Sequence, residues 1–285
     1  MKQFSSLIKP YMLFAGIFIV IPMMLIALYA FTQAGNEMLP FTFTLDNFIR
    51  FFDPVFIQVL LKSLYVALLT TLVCLIIGYP IAYIISKFDT KVATVLILLI
   101  TIPMLINMLV RTYSWIGILS EVGLINNILG FFNLGSVNLL YTDFAVILGM
   151  VYNTLPFMII QIYNSLSKMD KAVINASYDL GANRFQTFRK VIFPLSLPGV
   201  ISGITLVFLP SVSSFVVPRL LGGGQYMLIG NLIENQFITV GEWNFGSAIS
   251  LIMALIIMLS MYLTKKIDQN NAGKTKVRRI SNGRS

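Results

Sequence analysis

The chain has 285 residues, of which 57% are hydrophobic and only 11% are charged, and its net charge is +9. Because soluble domains carry roughly 25% charged residues, this composition excludes an ordinary soluble protein and indicates an all-α, polytopic membrane protein. Histidine is absent and Cys74 is the only cysteine, which excludes an intrachain disulfide, His-based catalysis and a Cys/His metal site. The positive charge is explained by membrane topology and contact with membrane lipid, so we expect no nucleic-acid partner.

Three apolar runs in the N-terminal half are predicted to cross the membrane: residues 12–31, 63–86 and 92–110. The segment between the first two, residues 32–62, is predicted to lie on the outer side. Its stretch 42–53 has the pattern of an amphipathic helix that can lie along the membrane interface.

Three further runs are predicted to cross the membrane in the C-terminal half: residues 144–166, 197–218 and 245–264. Residues 111–143 contain several Asn and Gly residues and are predicted to form short helices on the outer side. The outer segment 219–244 opens with three consecutive glycines, which we interpret as a flexible turn. The basic tail, residues 265–285, is polar, and we expect it to be poorly ordered.

The distribution of charge predicts the orientation of these six helices. Six spans place both termini on one side of the membrane, and sixteen of the twenty Lys and Arg residues fall on that side. The positive-inside rule therefore predicts that both termini are cytoplasmic. The four basic residues expected outside are Arg50, Lys62, Arg111 and Arg219.

One cytoplasmic loop, residues 168–196, has the pattern of two short helices separated by a glycine. Asp170 can cap the first helix, and Gly181 suits a left-handed C-terminal cap. Pro194 and Pro198 are predicted to end the second helix. Helices this short are marginal in water by themselves, which predicts that the loop docks into another protein.

The chain shows no sign of an energy source of its own. We find no convincing ion-coupling residue within the spans, and no G-x-x-x-x-G-K-[ST] run that could cradle a nucleotide phosphate. The run Gly222-Gly223-Gly224 lacks the lysine of such a loop. We therefore expect a transport subunit and not an enzyme, without catalytic residues, metal or cofactor of its own.

The cytoplasmic loop resembles the EAA loop of ABC-importer permeases, whose pattern is E-A-A-x-x-x-G, nine residues and then I-x-L-P. This chain reads NASYDLG at 175–181, nine residues and then VIFP at 191–194, with Asn175 in place of the leading Glu. The resemblance implies a type I ABC-importer permease fold, in which the loop seats on a separate ATPase that uses the ATP. The residues that it assigns to the coupling loop are Asp170, Asn175, Ala176, Ser177, Gly181, Val191, Phe193 and Pro194.

Over nearly the whole chain, the sequence resembles permeases of the spermidine/putrescine (PotB-type) family. The resemblance is carried by residues 44–56, 60–88, 179–203 and 221–250, of which the outer segment from 222 to 248 is the most discriminating. It implies three partners: a second permease of the PotC type, a dimer of a PotA-type ATPase and an extracytoplasmic PotD-type polyamine-binding protein.

The same resemblance implies a division of the chain into three parts. Residues 1–60 would hold the first transmembrane helix and the first outer segment. Residues 61–264 would form the ABC permease core, which includes the coupling loop, and residues 265–285 the basic cytoplasmic tail.

A polyamine is a flexible multiple cation with apolar methylene segments, so its pathway should offer carboxylates and aromatic faces. The outer side supplies candidates for the pathway or for contact with the binding protein: Tyr113, Trp115, Glu121, Glu234, Glu242 and Trp243. Taken one by one, the aromatic residues also fit an interfacial belt, and the acidic residues also fit a solvated surface.

Two alternatives to a polyamine importer remain open from the sequence. A permease for another solute, such as a sugar, sulfate, phosphate or an iron complex, would share every feature except the polyamine-type outer segments. The other alternative is a channel or membrane scaffold that needs no ATPase. Such a protein would not need a coupling loop.

Overall fold

The computed structural model describes residues 10, 12, 14–34, 41–224 and 226–282, without the side chains of 34, 41, 263, 265 and 267–282. In the N-terminal half the elements are α1 (Gly16–Ala30), β1 (Thr32–Ala34), β2 (Phe41–Phe43), α2 (Asp46–Phe51), α3 (Pro54–Ile85), α4 (Thr90–Leu105), α5 (Met108–Leu119) and α6 (Leu124–Phe131). In the C-terminal half they are α7 (Asp143–Ser167), α8 (Lys171–Asp179), α9 (Arg184–Val212), α10 (Val216–Leu221), α11 (Ile229–Glu234) and α12 (Trp243–Asn282).

Three helices contain or adjoin a wider π turn. These turns are Gly16–Val20 in α1, Phe188–Ile192 in α9 and Asn235–Val240 directly after α11. The strands β1 and β2 pair antiparallel, with Thr32 opposite Phe43. This short hairpin departs from the all-α prediction, because strands of three residues are too short to leave an alternating pattern in the sequence.

Five helices in the described part of the chain are long and apolar enough to cross a membrane: Pro54–Ile85, Met108–Phe131, Asp143–Ser167, Arg184–Val212 and Trp243–Tyr262. Two shorter apolar helices are Gly16–Ala30 and Thr90–Leu105. Every predicted span therefore coincides with an apolar helix. Met108–Phe131, which we predicted to lie outside, is also sufficiently apolar, and a turn at 120–123 divides it into α5 and α6.

Helix α3 begins at Pro54, nine residues before the predicted start at 63. A proline at the first helical position loses no intrahelical hydrogen bond, so it starts the helix without cost. At the other end of the chain, α12 continues to Asn282, where we had expected a poorly ordered tail. The tail from 265 contains no proline and several good helix formers, so its backbone can continue the preceding helix.

The structure divides into two compact units, of which one comprises Met1–Leu61 and Ile229–Leu259. Its buried apolar side chains include Phe51, Leu232, Phe245 and Ile249. Two side-chain amides donate hydrogen bonds at the end of α1. Asn47 donates to the carbonyls of Ala30 and Thr32 at 3.1 and 2.9 Å. Asn244 donates to the carbonyls of Tyr29 and Thr32 at 3.1 and 2.7 Å. The bonds to Tyr29 and Ala30 satisfy carbonyl groups at the end of α1, and those to Thr32 attach the start of β1 to the same two amides.

The second unit comprises Lys62–Leu228 and Ser260–Ser285. Its core includes Cys74, Ala82, Met158, Ile162 and Val207, each buried completely. These residues lie on α3, α7 and α9, so the interior of the unit is formed where those three helices meet.

Helices α7 and α9 approach closely because α9 presents two glycines to α7. A Cβ atom at Gly203 would lie 2.6 Å from Met158 Sδ. One at Gly199 would lie 2.7 Å from the Gln161 carbonyl oxygen and would also collide with Ser165. The Gly-x-x-x-Gly spacing places both on one helix face, an arrangement that lets helix backbones pack closely in membranes.

Candidate functional site

The predicted first coupling helix is α8, and its two ends are formed by local hydrogen bonds. The Ala172 N–H donates to Asp170 Oδ1 at 2.9 Å, which confirms the predicted N-terminal cap. At the other end Gly181 has φ +81°, as predicted for a left-handed cap. The Ala182 N–H donates to the Ser177 carbonyl at 3.1 Å and the Gly181 N–H to the Tyr178 carbonyl at 2.8 Å, the paired bonds of a Schellman motif.

The second coupling helix is the first part of α9. Asn183 and Gln186 form a reciprocal capping box, with the Gln186 N–H donating to Asn183 Oδ1 at 2.8 Å and the Asn183 N–H to Gln186 Oε1 at 3.0 Å. Our sequence analysis did not identify this box, although the Asn-x-x-Gln spacing is a recognisable signal.

The prediction that Pro194 and Pro198 end this helix is wrong, because α9 continues without a break from Arg184 to Val212. The π turn Phe188–Ile192 directly precedes Pro194, and the Phe193 N–H bonds to the Phe188 carbonyl, five residues back. A proline in a helix lacks the N–H that would donate and crowds the carbonyl four residues earlier. The wider turn relieves that crowding and lets the chain pass the proline as one helix.

The two coupling helices are joined to each other through small polar side chains. Ser177 Oγ lies 2.9 Å from Thr187 Oγ1, and Ser177 Oγ also donates to the Ile174 carbonyl at 2.7 Å. Thr187 is completely buried. The loop is therefore a fixed pair of helices and not a loose connection between membrane spans.

An aromatic cluster joins the start of α9 to α3. The ring centroid of Phe188 lies 5.8 Å from that of Tyr79 and 5.4 Å from that of Tyr83. The Tyr79 hydroxyl is 2.8 Å from Ser196 Oγ. The second half of the coupling loop is therefore attached to the cytoplasmic end that we predict for α3.

The predicted coupling residues lie mostly on the solvent-exposed surface of this helix pair. Asp170, Asn175, Ala176, Gly181, Phe193 and Pro194 are exposed, and Ser177 and Val191 are half-buried. Two large apolar side chains extend from the same surface: Leu180 is 88% exposed and Phe185 is 70% exposed. Phe188, three residues after Phe185, packs instead against the core of the second unit.

A cavity of about 320 Å³ lies behind α8, between that helix and the ends of α3 and α7. Its lining includes Tyr83, Lys87, Lys171, Asn175 and Tyr178. Two lysine side chains and the amide of Asn175 therefore border a recess next to the exposed surface of the coupling helices.

Three of the predicted outer residues lie in the second unit. Tyr113 and Glu121 are exposed, whereas Trp115 is half-buried and packs edge-on against Tyr152 with ring centroids 5.5 Å apart. Arg111 lies 5.8 Å from the centre of the same Tyr152 ring. The structure therefore places Trp115 in a packed aromatic contact, while Tyr113 and Glu121 remain open to a partner.

The other three predicted outer residues lie in the first unit. Glu242 forms an ion pair with Arg50 at 2.6 Å, and Arg50 also lies 4.3 Å from the centre of the Phe245 ring. Trp243 is 55% exposed, and Glu234 is half-buried. The carboxylate of Glu242 is thus already neutralised by a basic residue of the same chain.

Sequence analysis missed a second cluster with a carboxylate, an aromatic ring and a basic residue. Lys62 Nζ lies 3.7 Å from the centre of the Tyr226 ring and 4.0 Å from Asp143 Oδ1. Burial, together with the neighbouring Asp143 carboxylate, raises the pKa of the Tyr226 hydroxyl.

Two of the three glycines before this tyrosine, Gly222 and Gly223, are closely packed, which corrects our interpretation of the run as a flexible turn. A Cβ atom at Gly222 would collide with Tyr226, and one at Gly223 would lie 2.8 Å from the Tyr141 ring. Gly223 and Gly224 have φ +67° and +75°, values that L side chains rarely adopt. The glycines therefore hold Tyr226 near the start of α7, where Asp143 is the first residue.

Comparison with known proteins gives one family over most of the chain. Residues 74–272 match the family described as binding-protein-dependent transport system inner membrane component. The chain is 38% identical over 263 residues to the spermidine/putrescine transport system permease protein PotB of Escherichia coli (strain K12), covering 88% of this chain and 96% of that protein. It is 37% identical over 259 residues to PotB of Haemophilus influenzae, covering 88% and 91%.

Solved structures share the fold at low sequence identity. A bacterial ABC transporter involved in the import of the acidic polysaccharide alginate has a TM-score of 0.79 at 16% identity, covering 94% of this chain and 95% of that chain. An inward-facing conformation of the MetNI methionine ABC transporter has a TM-score of 0.51 at 16% identity, covering 77% and 99%. The helices of this chain are therefore arranged as in ABC-importer permeases.

Proposed function

We infer that this chain, which belongs to the PotB-type family of ABC-importer inner-membrane permeases, is the membrane-spanning subunit of an ATP-driven polyamine importer. The observation that carries this inference is the similarity to spermidine/putrescine permeases, which extends over 88% of the chain. It covers the outer segment from 222 to 248 as well as the coupling loop, which permeases for many solutes share.

The proposed topology has six spans, formed by α1, α3, α4, α7, α9 and α12, with both termini in the cytoplasm. Helices α5 and α6 have 12 and 8 residues and are separated by a turn, so each is shorter than any of the six helices proposed to cross the bilayer. They would lie on the outer side. The excess of Lys and Arg in the opposite loops and the tail supports this orientation.

The proposed partners are a PotC-type second permease, a dimer of a PotA-type ATPase and a PotD-type binding protein outside the membrane. ATP would be bound by the ATPase, and this chain would have no nucleotide site of its own. The exposed face of the coupling loop supports docking to that ATPase, because the large apolar side chains of Leu180 and Phe185 are exposed there. The site residues on the same face are Asp170, Asn175, Ala176 and Gly181.

The proposed mechanism is alternating access. The loaded binding protein docks on the outer segments, where Tyr113, Glu121, Glu234 and Trp243 are candidate contacts. ATP binding closes the ATPase dimer and brings the coupling helices together, which opens the pathway outward, and hydrolysis returns it toward the cytoplasm. Glu242 is a weaker candidate for substrate contact than we expected, because Arg50 already pairs with it.

Uptake of labelled spermidine and putrescine tests the function directly. We expect energy-dependent uptake of at least one label to be lost when this chain is deleted from cells that keep the partner subunits. Competition between the two labels would give the preference. Unchanged uptake of both, in cells without another polyamine transporter, would remove the polyamine assignment and favour a permease for another solute.

A further inference from the structure

The cluster of Lys62, Asp143 and Tyr226 has the chemistry of a binding site for an ammonium group. A carboxylate supplies the opposite charge, and the face of an aromatic ring attracts a cation placed over it. In the structure, the cation on that site is the chain's own lysine: its Nζ is 3.7 Å from the centre of the Tyr226 ring.

The aromatic ring of the site lies in packed surroundings. Tyr226 is only 8% exposed. The packed glycines Gly222 and Gly223 hold the ring in place against the segment that leads into α7.

The lysine itself is held loosely. Its ion pair with Asp143 is 4.0 Å long, and the side chains of Lys62 and Asp143 are 46% and 71% exposed. The Arg50–Glu242 pair, which also lies beside an aromatic ring, is 2.6 Å long. Exposed ion pairs contribute roughly 0–1 kcal/mol, so an external cation can compete for Asp143.

A lysine side chain is four methylene groups that end in a primary ammonium, the same chemical group as the aminobutyl arm of a polyamine. We propose that Asp143 and Tyr226 form a binding site for one terminal ammonium of the transported polyamine, and that Lys62 occupies this site until the substrate displaces it. The proposal rests on the proposed function and assigns to it a specific subsite on this chain.

The proposal predicts opposite effects for the two charged residues. Replacing Lys62 by Met keeps an unbranched side chain but removes the competing cation, so spermidine should bind more tightly. Replacing Asp143 by Asn removes the carboxylate, so spermidine should bind more weakly. A purely structural role for the ion pair predicts the same direction for both, because either change breaks the same contact.

The test is equilibrium binding of labelled spermidine to the permease–ATPase complex in lipid nanodiscs, without the binding protein. We expect the Kd to fall about threefold to tenfold for Lys62→Met and to rise by a similar factor for Asp143→Asn, given the typical strength of one cation–aromatic contact. The double variant should bind as weakly as Asp143→Asn alone. Lys62→Arg keeps a cation at the site and should bind as the wild-type complex does.

Two further variants separate binding from folding. Tyr226→Phe keeps the ring in its packed position, so Lys62→Met should still tighten binding in that background. Arg50→Met removes the basic residue of the other ion pair and should leave the Kd unchanged. Weaker or unchanged binding by an assembled Lys62→Met complex, including no measurable binding, would overturn the subsite. Unchanged polyamine uptake after deletion of the chain, in cells without another polyamine transporter, would count instead against the proposed function.

Discussion

Gly181 shows how a single residue can matter without close neighbours. Its φ of +81° lies in the left-handed region, yet a Cβ atom at this position would meet nothing within 4 Å. A side chain here is therefore disfavoured only by the backbone conformation, which costs roughly 1–2 kcal/mol for most L residues and more for β-branched ones. The expected effect is a local change in the turn between the coupling helices, with the membrane part unaffected.

We predict that Gly181→Val leaves assembly intact but lowers the amount of polyamine transported for each ATP hydrolysed. Strain in the turn would shift α8 relative to the first part of α9, and the ATPase would no longer move both together. The measurement is uptake and ATP hydrolysis on the same reconstituted complex. Gly181→Asn is the matched control and should retain coupling, because Asn tolerates the left-handed region. Normal uptake by an assembled Gly181→Val complex would refute the role of this turn.

The residues that sequence reasoning placed correctly are those whose interactions are local. The cap by Asp170 and the conformation of Gly181 depend on backbone groups only a few residues away. The contact of Lys62 with Tyr226 and the ion pair of Arg50 with Glu242 join residues far apart in the chain. No periodicity or spacing can predict such pairs, because they depend on how distant elements pack.

At the scale of helices, the glycines of α9 set how closely it packs on α7. Gly199 and Gly203 face atoms of Gln161, Ser165 and Met158 that leave no room for a methyl group. Gly117 in α5 offers a contrast, since a Cβ atom there would meet nothing within 4 Å. The same substitution should therefore have opposite effects at the two positions.

We predict that Gly199→Ala destabilises the chain by about 1–3 kcal/mol, the usual range for a group forced into a packed core. Gly117→Ala should be neutral or stabilise it by roughly 0.5–1 kcal/mol, because alanine loses less conformational freedom in a helix. Thermal unfolding of the purified chain in detergent compares the two. Equal midpoints for both variants would show that α7 and α9 are not in close contact at Gly199.

The positions of helices were easier to predict from the sequence than their ends. Long apolar runs identified every predicted span, but a charge or a proline was read as a boundary in two places where the helix continues. Lys62 lies inside α3, and its charge is compensated by Asp143 and Tyr226. Pro194 lies inside α9, where the preceding π turn accommodates it. In both places a tertiary contact or an irregular turn outweighed the tendency of a charge or a proline to end an apolar helix.

At the scale of the whole molecule, the proposed orientation can be tested with single cysteines. Cys74 is completely buried, so the wild-type chain should give no background with a membrane-impermeant maleimide. Phe88 lies in the predicted cytoplasmic loop and is 50% exposed, and Val122 lies in the predicted outer segment and is 84% exposed.

We predict that Phe88→Cys reacts only in inside-out vesicles and that Val122→Cys reacts only in right-side-out vesicles. Each variant serves as the control for the integrity of the other preparation. Reaction of both cysteines from the same side would contradict the six-span topology. Failure of Val122→Cys to react from either side would indicate that the apolar segment Met108–Phe131 crosses the membrane.

The unbroken course of α9 has a mechanical consequence. Its 29 residues form a helix about 43 Å long, which begins in the coupling loop and ends within the second unit. Because the helix is continuous, a displacement applied at Arg184 would be carried to Val212 as well. In the proposed mechanism, closure of the ATPase dimer and movement of α9 would then occur at the same time. Any delay between hydrolysis and gating would have to arise in other helices, or in the slight bending that the π turn beside Pro194 permits.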